Sequence, residues 1–276
     1  MIRRLIKLNL KGTNNKLHIL ILIISATMIT FINLGILTMP HTGYFCMGDI
    51  IIGVFGGLTP DFDLTKDVMS FILWVLPNIL IIYLIDICII HKLRESTILI
   101  LPKVKSKLKW FIAFDLTIAI IVIKYYLILV ISSLFIIFIK MNSNAFKNSN
   151  IIMNTFNSLN VNVNQYLILL YIVILNILTI IAVLFFTNNL YYIFFNSNEA
   201  SIIGLLLCIV SVNITKSNMF NKFILMNQGM LKRHNMFKLG FKGFNIESSI
   251  FYLITFLTIN FIIGILIIRK RELNNI

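Results

Sequence analysis

Few side chains in this sequence could do chemistry, and the least expected of them lie inside apolar runs. Asp86, Asp115 and Lys124 are ionisable groups within such runs. Charge is expensive in hydrocarbon, so residues of this kind are functional candidates by default. Asp61 and Asp63 stand two positions apart in a polar stretch, a pairing that could hold a divalent cation. His18, His41, His91 and His234 fall in four different regions, and Cys46, Cys88 and Cys208 are isolated, so neither a shared metal nor a disulfide framework follows. The phosphate-binding Gly-x-x-x-x-Gly-Lys-Ser/Thr loop, His-Glu-x-x-His, Cys-x-x-Cys and Gly-x-Ser-x-Gly are all absent. If ATP drives this protein, another chain binds it.

Depth separates the buried charges. Counted from Phe111, Lys124 lies about 20 Å into its run, near mid-membrane, whereas Asp86 and Asp115 lie only about 6 Å from the inner ends of theirs. Solvation at the interface therefore suffices for the two acids. Asn176 and Asn260 also fall near the middle of their runs, and an amide oxygen accepts readily from an ammonium. The expectation is a polar layer of Lys124, Asn176 and Asn260 along a translocation path facing the bundle interior or a subunit interface.

The elements that must position these groups are helices in a bilayer. Of 276 residues 59% are hydrophobic and 12% charged, with mean hydropathy +0.94. No single soluble domain carries so much apolar surface with so little charge. Six apolar runs stand out, at 17–39, 69–90, 111–139, 166–195, 200–215 and 249–268. Backbone polar groups in lipid must be satisfied within the segment, so each run is expected to be a helix of an all-α, polytopic, single-domain membrane protein. The run at 200–215 is the weakest, since about 24 Å falls short of a roughly 30 Å core, and its start is read as lying as early as Tyr191.

Charge sets the orientation. The net charge of +14 reads as topology and not as nucleic-acid binding. Arg3, Arg4, Lys7, Lys11 and Lys16 precede the first run, Lys92, Arg94, Lys103, Lys105, Lys107 and Lys109 fill the stretch 91–110, and Arg269, Lys270 and Arg271 follow the last run. These mark the cytoplasmic side, with both termini inside. The loop 40–68, carrying Asp49, Asp61, Asp63 and Asp67 against Lys66, and the loop 140–165 fit the outside. So does 216–247 by parity, despite six basic residues. Its alternation of basic and aromatic residues is that of an outer re-entrant or interfacial segment. The abundance of Ile, Asn and Lys points to an AT-rich, bacterial genome and a plasma membrane.

The stretch 91–110 is the most informative. Ile98, Leu99 and Leu101 beside a polar rim suit a short amphipathic helix on the inner surface, broken before Pro102. Arg94 and Glu95, Ser96 and Thr97, Leu99 to Leu101, Pro102, then Lys105 and Ser106 follow in the order of the corresponding loop in permease subunits of type-2 ABC exporters, which this chain resembles. The basic, amphipathic segment from Ile2 to Lys16, the six runs, the long fifth connection and the basic tail agree with that layout. Ser96 stands where the family has glycine, and Asp115 near where lysine is common.

The resemblance implies a coupling helix at Arg94, Glu95, Thr97, Pro102, Lys103, Lys105 and Ser106 that docks on a separate ABC ATPase, with ATP and Mg bound there and no cofactor in this chain. It implies a second, identical or homologous permease subunit, and an interfacial helix at the N-terminus. The small size looks most like peptide-antibiotic or lantibiotic immunity exporters, which move amphipathic peptides outward. Two rival readings are a stand-alone immunity protein that sequesters a toxin, and a membrane enzyme similar to glycosyltransferases using Asp61 and Asp63.

Overall fold

A computed structural model describes residues 1–13, 16–38, 47–59, 62, 67–86, 90, 104, 106–141, 165–194, 197–213, 222–235 and 244–270. The fold is all-helical. We number the helices α1 (Ile2–Thr13), α2 (Lys16–Thr38), α3 (Met47–Phe55), α4 (Val68–Ile85), α5 (Lys107–Met141), α6 (Gln165–Phe194), α7 (Ser197–Asn213), the single turn α8 (Leu225–Gln228) and α9 (Ile246–Lys270). Among the described residues the only extended pairing is an isolated bridge between His234 and Phe244.

Among the described residues five helices, α2, α4, α5, α6 and α9, are long and apolar enough to cross a membrane. This is a protein of membrane-spanning helices. The sixth expected span is α7, whose apolar part covers only Ala200–Val210, about 16 Å of rise and half a hydrocarbon core. Tyr191, taken from sequence as a possible start for it, belongs instead to α6.

Hydroxyl and amide side chains within the spans largely close on the carbonyl one turn back. Thr30 donates to Ala26, Thr117 to Ala113 and Thr179 to Leu175, a bond that removes a polar group from lipid without a partner helix. Pro77 interrupts α4. Next to it Asn78 Nδ2 donates to the Trp74 carbonyl at 2.9 Å, one place beyond the Leu73 carbonyl that the proline leaves without its N–H.

Side-chain pairs fix the directions. His18 meets Tyr125 and the Lys140 ammonium lies over the Phe31 ring, so α2 and α5 run the same way. Phe111 packs on Tyr192 and Asp115 meets Asn188, so α6 runs against α5. Phe186 packs on Phe256 and Asn189 reaches Asn260, so α9 runs with α6. Two residues join α6 to α7 in a helical hairpin. One end of the bundle consequently gathers exposed Lys107, Lys109, Arg269 and Lys270, and α1, with exposed Arg3, Arg4 and Lys7, packs along the same part of α5, where Asn9 bonds Thr117. We call this the basic end. The spans turn Met28, Phe31, Ile131, Phe135, Phe251 and Ile262 outward, as lipid-facing helices do.

Candidate functional site

The unusual feature of the bundle lies in two short elements that enter it from the end opposite the basic one and stop inside. The first is α3, nearly all of which is buried, including Asp49 at 1% exposure. Its apolar residues Ile50, Ile51, Ile52, Val54 and Phe55 drive it inward, and Gly53 lets it press on α2, since a Cβ there would lie 2.5 Å from Asn33 Oδ1. The stretch 47–55, read in sequence as part of an outer loop 40–68, is a buried helix. Asp49 is an interior residue, because the apolar run that follows it carries it down.

The chain breaks at Gly56 and Gly57. Gly57 has φ +85°, the left-handed conformation in which glycine commonly ends helices. A Cβ there would sit 2.5 Å from Met230 Cβ, so glycine is required twice, by backbone and by space. Carbonyls at a helix C-terminus need donors, and three come from far away in sequence. Asn176 Nδ2 reaches the Phe55 oxygen at 3.3 Å, the Lys232 backbone N–H reaches Gly56 at 2.9 Å, and Arg233 Nε reaches Leu58 at 3.4 Å. A guanidinium also suits the negative end of a helix dipole.

The second element is the segment 222–235. It comprises α8, Gly229, Met230 and a 3-10 turn at Leu231–Arg233, and Leu225 to Leu231 are all buried. Gly229 packs on Thr179 so closely that a Cβ would lie 2.9 Å from its Oγ1. Thr179 is the fifteenth of the 30 residues of α6, about 21 Å from that helix's first residue, so the segment reaches the middle of the bundle. Arg233 is 1% exposed and its Nη1 donates to Asn227 Oδ1.

His234, also fully buried, fastens the segment to α9. Its Nδ1 faces only acceptors, the carbonyls of Met230 at 3.1 Å and Leu231 at 3.2 Å, and so carries the proton. Its Nε2 accepts from the Ser249 hydroxyl at 2.9 Å. Burial pushes the His234 imidazole down to about 4, against the pull of those two carbonyls, and the ring is neutral at physiological pH. Burial likewise lowers Lys232 to about 8 and Arg233 to about 10.

A second polar group lies toward the basic end. Asn188 Nδ2 donates to Asp115 Oδ1 at 3.1 Å, and Asn189 Nδ2 to the Asn260 carbonyl at 2.8 Å. Gly264 permits the crossing, since a Cβ would fall 2.4 Å from Phe111 Cζ. Asp86 and Asp115 are 2% and 3% exposed. They are buried and not solvated at the interface as depth counting from the run ends implies.

The residues singled out in sequence are scattered. Asn176 sits at the broken junction, and Asn260 pairs with Asn189, thirteen positions farther along α6 and about 20 Å away. The two asparagines do not form one layer. Lys124 is half-buried on α5, beside Tyr125, which bonds His18, and one residue further Tyr126, whose ring packs on Phe55. Ser106 Oγ accepts from the Lys109 N–H at 3.4 Å, the bond of a helix N-cap for α5. Arg94, Glu95, Thr97, Pro102, Lys103, Lys105, Asp61 and Asp63 lie outside the described residues. Among those described, no three His, Cys, Asp or Glu side chains gather as a metal site. Arg233, His234 and Ser249 escaped sequence reasoning. Their one signal was a basic, aromatic stretch with apolar residues every second or third position. No protein-family model, curated protein or solved structure matches the chain.

Proposed function

We propose that this chain is the permease subunit of an ATP-driven exporter of the type-2 ABC kind, with hydrolysis on a separate ATPase chain, moving a hydrophobic or amphipathic substrate out of the membrane. A peptide antibiotic is the substrate class the sequence resemblance favours. The observation that carries the transport reading is the junction of α3 with the segment 222–235 in mid-bundle. Non-helical backbone at membrane depth is tolerated only within protein or along a cavity, and interrupted helical elements near mid-membrane line the substrate sites of secondary transporters, to which this junction is analogous.

The orientation follows from charge: the basic end faces the cytoplasm and the broken elements open outward. In the proposed cycle two such permeases pair, ATPase closure pushes the stretch 91–106 on each, and the spans rock. The short α3 and the segment 222–235 then part and rejoin, since only a few hydrogen bonds tie them and no spanning helix must unfold. Those bonds end on backbone carbonyls, which exchange donors readily.

The test is a pull-down of the tagged chain from its native membrane, comparing wild type with the Glu95→Ala, Thr97→Ala double variant. An ATP-hydrolysing partner recovered by wild type and lost by the variant is the expected result. Recovery of no ATPase in mild detergent overturns the reading and brings the sequestration and enzyme readings forward.

A further inference from the structure

At the outer end of the bundle a cavity of about 340 Å³ opens between α6, the segment 222–235 and the start of α9. Its wall combines Tyr171, His234, Phe244, Ile246, Glu247 and Ile250. The size lies within the roughly 300–1,000 Å³ range of small-molecule sites, and an apolar lining with few polar groups is their usual composition.

The polar groups define the ligand. Both ring nitrogens of His234 are engaged, by carbonyls on one side and Ser249 on the other, and the fully buried imidazole backs the Phe244 ring, 4.8 Å away between ring centroids. Asn235 and Asn245 are bonded to each other at 2.8 Å. Glu247 is the one charged side chain among the described lining residues, and it is exposed in the first turn of α9. A carboxylate there satisfies the positive end of the helix dipole and repels a second anion. Among the described lining residues this leaves a negative charge, with the two amides beside it, at the mouth of an aromatic and aliphatic pocket, which is the chemistry that receives a cation with an apolar body.

We propose that this cavity binds an organic ammonium ion, with Glu247 receiving the ammonium and Tyr171, Phe244, Ile246 and Ile250 enclosing the apolar or aromatic body. The inference does not rest on the permease reading, because it concerns binding to the chain alone. Its backing is rigid where it needs to be: the bridge between His234 and Phe244, the Asn235 N–H bonded to the Phe244 carbonyl at 3.2 Å, and the His234 to Ser249 bond hold the two walls together.

The experiment uses the full chain in lipid nanodiscs, with empty discs as baseline, and follows phenethylammonium, neutral phenethyl alcohol and anionic phenylacetate by saturation-transfer NMR. Wild type is expected to bind the ammonium about tenfold more tightly than the alcohol, the size of one charge-assisted contact. Glu247→Gln, an exposed substitution that leaves packing intact, is expected to abolish that difference while keeping the alcohol signal. Ile250→Trp, which fills the cavity, is expected to remove both. Absence of a saturable signal above empty discs, equal ammonium binding by wild type and Glu247→Gln, or phenylacetate binding as tight as the ammonium each overturns the proposal; the last outcome makes the site an anion site at the α9 N-terminus.

Discussion

The two polar regions of the bundle solve the same problem in opposite ways. Toward the basic end, Asp115, Asn188, Asn189 and Asn260 sit on unbroken helices and mostly bond across them. At the junction farther from the basic end, Asn176, Lys232 and Arg233 serve backbone carbonyls of an interrupted chain. The first arrangement staples α5, α6 and α9 at one end, and losing a staple costs stability locally. The second closes a gap between two short elements that are not themselves spans, so in the proposed cycle it opens while the spans stay intact.

Breaking the junction at its tightest point is expected to have the largest effect. Gly57→Val combines a left-handed backbone with a collision against Met230, and the expected loss is about 3 kcal/mol or more, read as a fall in thermal midpoint by size-exclusion thermostability. Gly35→Ala, at an exposed helical position with nothing within 4 Å of the added Cβ, is the matching control and should gain about 0.5–1 kcal/mol. Equal behaviour of the two variants would remove the special status of the junction.

Acid should distinguish the two regions next. His234 is neutral when folded, with its value lowered from 6.5 to about 4. The opened form therefore binds more protons, and stability is full above pH 6.5, falls as pH drops from 6.5 toward 4, and levels off below, with a limiting loss of about 3 kcal/mol. Hydrogen exchange of 222–235 should accelerate over that window while α5 near Asp115 stays protected. A profile unchanged in His234→Phe would assign the pH effect elsewhere.

The smallest expected effect is at the staple. Asp115→Ala removes the acceptor of Asn188 Nδ2 and should cost about 1–3 kcal/mol, whereas Asp115→Asn keeps an oxygen in place and should cost less than about 1. Detergent thermal shifts check both. Equal losses from Asp115→Asn and Asp115→Ala would mean that charge, and not the retained acceptor, matters there.

The spans were legible because an apolar run of some 20 residues has one solution in lipid. The broken elements were not. The nine residues of α3 are too few to announce a span, and their entry into the bundle depends on room beside Asn33 and on donors from residues 176 to 233. Arg233 reads in sequence as one more basic residue of a loop, and its burial rests on Leu58, 175 positions away. The expected layer of Asn176 and Asn260 assumed that α6 and α9 begin at one level. In the fold, Ile246 to Ile250 lie beside Tyr171, six residues into α6, so α9 starts deeper and Asn260 slides past the middle to Asn189.

The sequence by itself determined the solvent, the class of element and the end of the bundle that gathers charge, because hydropathy and charge act through composition and position along one segment. Which apolar runs cross, which stop halfway, and which polar groups meet were decided only by the tertiary structure. Those outcomes depend on helix stagger and on hydrogen-bond partners distant in the chain, which no local pattern encodes.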